Sequence, residues 1–199
     1  MSEILKNYFS TIKNEITEFI DNVDKEPYYI AAELIHKSQE NGGRVHITGI
    51  GKPAHIAGYA ASLFSSTGTP TYFLHGTEAV HGSCGQLTPA DVIICISNSG
   101  ETAEMKSTAI AIRNNGGTII GISGNPTSWL AKFSDVHLLV GAKEEGGPLN
   151  RAPRASIINE TIALQILSVI LQEKCAITPE QYVLRHPGGT LGKLRENEK

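Results

Sequence analysis

From residue 44 onward, short apolar runs alternate with segments of helical periodicity, and this alternation restricts the chain more than any other feature. The runs are Arg44–Thr48, Thr71–Leu74, Asp91–Ile96, Thr118–Ile122 and Val136–Val140. Helical patterns follow from Pro53 to about Ser66, up to about Asn114, over Ser128–Phe133 and from Ala155 to about Lys174, with a last turn at Thr178–Leu184. Nearly continuous apolar runs suit strands buried on both faces. Strands separated by helices, with right-handed crossovers, build a parallel sheet covered on both sides. The predicted fold is α/β, a three-layer doubly wound five-stranded parallel sheet of flavodoxin-like order 2-1-3-4-5. Ahead of it, Ile4, Tyr8, Ile12, Ile16 and Phe19 share one helical face, and a second helix runs from about Pro27 to Glu40 and stops at Gly42-Gly43. These two helices would cover one side of the core or a partner subunit. No linker, repeat or low-complexity tract interrupts the chain, so one domain is expected over 1–199, with N-terminal helices in 1–42 and the α/β core in 43–193.

Composition removes several classes of function. The net charge is −3 over 199 residues and no run of like charges occurs, which gives nucleic acid and membrane surfaces no purchase. Three widely spaced cysteines, Cys84, Cys95 and Cys175, fit a reducing compartment and not a disulfide framework. The first twenty residues hold no hydrophobic block of signal-peptide type, and no apolar stretch is expected to span a bilayer. A cytoplasmic location is the expectation.

The loops carry the chemistry. In an open doubly wound sheet, ligands bind beyond the carboxyl ends of the strands where the strand order reverses, here between strands one and three. Strand one runs into Gly49-Ile50-Gly51-Lys52-Pro53, and strand three into Ser97-Asn98-Ser99-Gly100-Glu101-Thr102. The second loop opens a helix, whose first backbone N–H groups and dipole favour an anion, with Ser97, Ser99 and Thr102 as further donors. The same residues also suit an ordinary strand-to-helix turn with Ser99 or Thr102 as N-cap. Gly49-x-Gly51 is incomplete as a dinucleotide fingerprint, because Ala54 stands where the third glycine belongs, and no Walker-type loop is present. Lys52 is either a solvated helix-start lysine or a cation for a phosphate or developing oxyanion. Glu78 and His81 would share one face of a helical turn. Glu144 and Glu145 lie in a mobile-looking acidic loop after strand five. Arg151 and Arg154 precede the long helix as surface charges or as a second anion contact. His186-Pro187-Gly188-Gly189 is too rigidly shaped for a merely solubilising tail.

Taken in order, Gly-Ile-Gly-Lys at 49–52, Ser-Thr-Gly-Thr-Pro at 66–70, His-Gly-Thr-Glu-Ala-Val-His-Gly at 75–82, Ile-Ser-Asn-Ser-Gly-Glu-Thr at 96–102, Gly-Pro-Leu at 147–149 and Arg-His-Pro-Gly-Gly-Thr-Leu-Gly at 185–192 resemble the sugar isomerase (SIS) domain family. Within it they are most similar to the arabinose-5-phosphate isomerase group, in a short form without CBS domains. The resemblance covers roughly Gly43 to Lys193. It implies an aldose–ketose isomerase acting on a sugar phosphate, with Lys52, Glu101, Glu145 (Glu144 less well aligned) and His186 as catalytic residues. Gly51, Glu78, His81, Ser97, Asn98, Ser99 and Thr102 match substrate-binding positions. It also implies a homotetramer whose sites are shared between subunits, so that Glu78, His81 and His186 act across an interface.

Isomerisation moves a proton between C1 and C2 through a cis-enediol(ate), which needs a base, a second acid/base to open the ring and a cation or donor for the enediolate oxygen. Glu145 or Glu101 would be the base, with His186 assisting ring opening and Lys52 facing the oxyanion; the sequence does not rank the two glutamates. No cofactor or metal is called for. Where family members carry a Ser/Thr-rich run, this chain reads Pro153-Arg154-Ala155-Ser156-Ile157, and Pro53 and Ser83 replace the more usual Ser and Asp. Arg154 could replace the lost hydroxyls as a bidentate phosphate partner. The same losses fit an alternative, a non-catalytic sugar-phosphate sensor.

Overall fold

The computed structural model describes residues 2–198. Helices α1 (Glu3–Asn22) and α2 (Glu26–Glu40) precede β1 (Val45–Gly49), α3 (Lys52–Ser66), β2 (Thr71–Phe73), α4 (Gly76–Ala79) and β3 (Val92–Ile96). Then come α5 (Ala103–Asn114), β4 (Thr118–Ser123), α6 (Trp129–Phe133), β5 (Val136–Leu139), α7 (Ala155–Cys175) and α8 (Pro179–Arg185). The five strands form one parallel sheet in the order β2-β1-β3-β4-β5. That is the predicted order, with strand ends within a residue of the expected ones.

The period-two geometry of a strand divides the core between two faces. Val92, Ile94 and Ile96 of β3 pack with Ile47, Ile120 and Ile122 against α2, α3 and α7. Ile93 and Cys95 point the other way and join Ile119, Met105, Ala109 and Leu130 under α5 and α6. Cys95 behaves as the small hydrophobe expected of it, and burial pushes its thiol up to about 12. Each fully buried isoleucine contributes roughly 1.5–3 kcal/mol of burial free energy, so the central strand anchors both layers.

Helix α7 corrects one expectation. By length and composition it is apolar enough to cross a membrane, contrary to the sequence reading. It is instead the fold's central core helix, packed against α1, α2 and α3, with Ser156, Asn159, Glu160 and Ser168 on its buried face. A helix apolar all round is what burial in a domain also demands. By contrast α1 buries no residue completely. Phe19 packs against the core, while Ile4, Leu5, Phe9 and Ile20 stay exposed.

Candidate active site

Gly49 at the end of β1 pairs with Ile96 at the end of β3, so the two loops leave the sheet side by side. Gly49 cannot be replaced cheaply, since a Cβ there would stand 2.7 Å from the Pro53 carbonyl carbon. Gly51 turns the chain into α3 with φ 68° and ψ −128°, torsions that glycine alone adopts without strain.

The second loop is fastened at several points. Ser97 donates its N–H to the Ile122 carbonyl at 3.0 Å, and the Gly100 N–H returns to the Ser97 carbonyl at 2.9 Å, closing a turn. The Asn98 carbonyl accepts from Gly124 and the Gly100 carbonyl from Leu130. The hydroxyls of Ser97 and Thr102 lie 3.2 Å apart. Thr102 occupies the N-cap position of α5 but makes no side-chain cap, which leaves the first N–H groups of this twelve-residue helix without one.

A cleft of about 250 Å³ opens at this point, lined by Ile50 and Pro53 from the first loop, by Ser97, Asn98, Ser99 and Thr102 from the second, and by Ser156 and Glu160 from α7. The predicted neighbourhood of the two loops is therefore met, with α7 as a third wall. Lys52 stands between Ile50 and Pro53 at the start of α3 and is exposed.

The loop after β5 is tied down, although its composition reads as mobile. Glu15 of α1 accepts from the N–H groups of Lys143 and Glu144, and Lys143 pairs with Glu18. The half-buried Glu145 carboxylate accepts from the N–H of Arg154 and, at 3.2 Å, from the N–H of Ser156, so it caps α7 beside a residue that lines the cleft. Glu101 is directed elsewhere. Its carboxylate pairs with Lys106 at 2.5 Å and accepts from the Trp129 N–H at 2.7 Å. The Lys106 ammonium, followed by the Trp129 N–H, holds this exposed carboxyl below the ordinary range.

Other predicted residues lie apart. Glu78 and His81 are exposed on the turn at α4, joined by the His81 N–H donating to the Glu78 carbonyl. The Arg154 guanidinium packs over Gly147 and lines a separate groove with Pro148, Leu149 and Arg151. His186 is stacked on Tyr182 with ring centres 4.1 Å apart, its Nδ1 2.8 Å from the Tyr182 carbonyl. It lines a cleft with Pro70 and Thr71, at the amino end of β2, whereas the candidate cleft lies beyond the carboxyl ends of β1 and β3. Within one chain His186 therefore does not reach the site.

Sequence reasoning missed Ser156 and Glu160. The available signal was an acid on the stripe Ser156, Glu160, Ala163, Leu164, Leu167, Leu171 of an otherwise apolar helix.

The comparisons agree with this geometry. The model for "SIS domain" matches residues 39–169. The chain is 37% identical over 190 residues to arabinose 5-phosphate isomerase KdsD of Escherichia coli K12, and 40% identical over 151 residues to that of Pseudomonas aeruginosa. These alignments cover 94% and 76% of this chain but 57% and 46% of those proteins, so it spans about half the length of the curated relatives. A protein of E. coli CFT073, solved with a sugar phosphate bound, superposes with a TM-score of 0.86 at 31% identity, covering 94% of this chain and all of that one. With a family match over most of its length and the five-stranded sheet in the same order as its sequence predicts, the chain belongs to the SIS domain family.

Proposed function

We propose that the chain is an aldose–ketose phosphosugar isomerase of the arabinose 5-phosphate type. One observation carries the reading: the uncapped N-terminus of α5 and the acid-capped N-terminus of α7 meet at one cleft at the switch point of the sheet. The substrate phosphate binds the Ser97–Thr102 turn, where backbone N–H groups, hydroxyls and the helix dipole all favour an anion. Glu145 is the base, because its neighbour Ser156 lines the cleft while Glu101 is engaged by Lys106 and Trp129.

Glu145 takes the proton from C2 of the open-chain aldose as the C1 carbonyl oxygen becomes a hydroxyl. The resulting enediol(ate) regains a proton at C1 while the C2 oxygen becomes the carbonyl, so the internal redox balance closes without a cofactor. Lys52 offsets the developing negative charge on oxygen. His186, with Glu78 and His81, comes from neighbouring copies in a homotetramer. The distance of His186 from the cleft of its own chain and the exposed apolar side chains of α1 both support that assembly.

The test is conversion of arabinose 5-phosphate, and of a panel of pentose and hexose phosphates, to the ketose phosphate. Glu145→Gln is expected to lower turnover by about 10²–10⁴-fold while leaving ligand binding in place. Undiminished turnover would remove Glu145 from that role, and binding without turnover across the panel would favour the sensor reading.

A further inference from the structure

Glu160 lies inside the domain with no exposed surface, and neither of its carboxyl oxygens has a hydrogen-bond partner among the described residues. Ser156, one turn earlier on the same face of α7, is equally buried, and its hydroxyl is equally unpartnered among them. Both residues line the cleft beside the Ser97–Thr102 turn. An unpaired buried polar group is costly, and two that converge on one cavity point to a partner supplied by what fills the cavity.

We infer that Glu160, together with Ser156, is a specificity-determining site that takes a hydroxyl group of the sugar chain through a neutral carboxyl, while the phosphate goes to the N-terminus of α5. The inference rests on the phosphosugar reading and adds to it the recognition of the polyol part. A neutral carboxyl and a hydroxyl each donate and accept, which a sugar hydroxyl satisfies and a second anionic group does not.

The electrostatics favour the neutral form. Burial, reinforced by the Glu145 carboxylate, pushes Glu160 up to about 8. No other described residue lining the cleft is ionisable. Around it, α3 carries Lys52 and His55, the second loop carries Glu101, and α1 carries Glu15, which is occupied by the N–H groups of Lys143 and Glu144. None of these hydrogen-bonds to Glu160.

The test measures binding of arabinitol 5-phosphate, which has no carbonyl to isomerise, and of inorganic phosphate to the full chain between pH 6 and 9. Wild type, Glu160→Gln and Glu160→Leu are compared, each with a melting curve to confirm folding. For wild type, affinity for the alditol phosphate should fall as pH rises through about 8, approaching tenfold per pH unit. Glu160→Gln, neutral at every pH, should keep the neutral-pH affinity within about threefold and lose that fall. Glu160→Leu should bind the alditol phosphate at least about tenfold more weakly at pH 7, with inorganic phosphate unchanged in all three. Equal affinities and superimposable pH profiles for wild type and Glu160→Leu would overturn the inference while leaving the phosphosugar reading intact. Failure of wild type to bind any sugar phosphate while still binding inorganic phosphate would overturn both.

Discussion

The hydroxyl of Thr102 bonds to that of Ser97, 3.2 Å away, and not to the N–H groups of the helix that Thr102 begins. A threonine at an N-cap ordinarily satisfies one of those N–H groups itself. Here the side chain braces the turn, and the start of α5 is left to an external acceptor. Ser97 is only 4% exposed, so the brace is shielded from water while the neighbouring Ser99 faces outward.

Gly100 sets the path of that turn, with φ 66°. A Cβ there would stand 2.5 Å from the Ser128 Cβ and closer still to its Oγ. Gly100→Ala is therefore expected to cost about 2–4 kcal/mol in urea unfolding, combining left-handed strain with overpacking. Adding Ser128→Gly should restore part of the loss and no more, since the torsional strain remains.

The buried acid of α7 predicts a dependence of stability on pH. Glu160 has its folded pKa raised to about 8 by burial and then by Glu145, against roughly 4.3 when unfolded. Between those values the unfolded chain gives up the proton that the folded chain keeps. Stability from this group is full below about pH 4 and is lost progressively as pH rises to about 8. Glu160→Gln should therefore be more stable than wild type by about 3 kcal/mol at pH 7, with the gap closing near pH 4 to 5. Paired thermal melts at pH 5 and pH 7 measure this directly, and a gap independent of pH would show that Glu160 is not the titrating group.

Asp91 works in the opposite direction. It is fully buried and accepts hydrogen bonds from the Thr88 N–H at 2.8 Å, the Thr88 hydroxyl at 2.9 Å and the Arg44 N–H at 2.8 Å, with His46 Nε2 at 3.4 Å. Burial pushes its carboxyl up, but the bonds from Thr88 and Arg44 outweigh that and leave it below the ordinary range. Burial also holds His46 low, against the pull of Asp91. Both groups confer stability that is lost as pH falls, His46 from about 6.5 and Asp91 from about 3.9. Asp91→Ala should cost about 3–5 kcal/mol at pH 7, because three donors lose their acceptor. A loss below about 1 kcal/mol in denaturant titration would mean that the site relaxes or admits water.

Subunit sharing can be tested by complementation. Glu145→Gln and His186→Ala should each be inactive alone yet fold normally, since His186 lies on an exposed turn after α8. When the two variants are co-expressed, mixed sites that combine an intact Glu145 with an intact His186 should recover a measurable fraction of wild-type turnover. Absence of recovery, with mixed oligomers demonstrated by mass, would place His186 outside the neighbouring site.

The architecture was already written into the order of residues. Apolar runs of strand length, broken by glycine-rich loops and helical periodicity, admit little besides a doubly wound parallel sheet, and the order 2-1-3-4-5 then brings residues 49–53 and 97–102 together. Loop motifs such as Ser-Asn-Ser-Gly were legible because backbone conformation and small-residue chemistry are local. Whatever depends on packing emerged only in the folded chain. Folding turned Glu101 toward Lys106, seated Glu145 on the N–H groups of Arg154 and Ser156, and put His186 at the other end of the sheet. It also buried Glu160 on a helix whose length and apolarity alone suggested a membrane span. A side chain's burial, partners and proton affinity are set by neighbours far away in sequence, and periodicity along one segment carries no record of them.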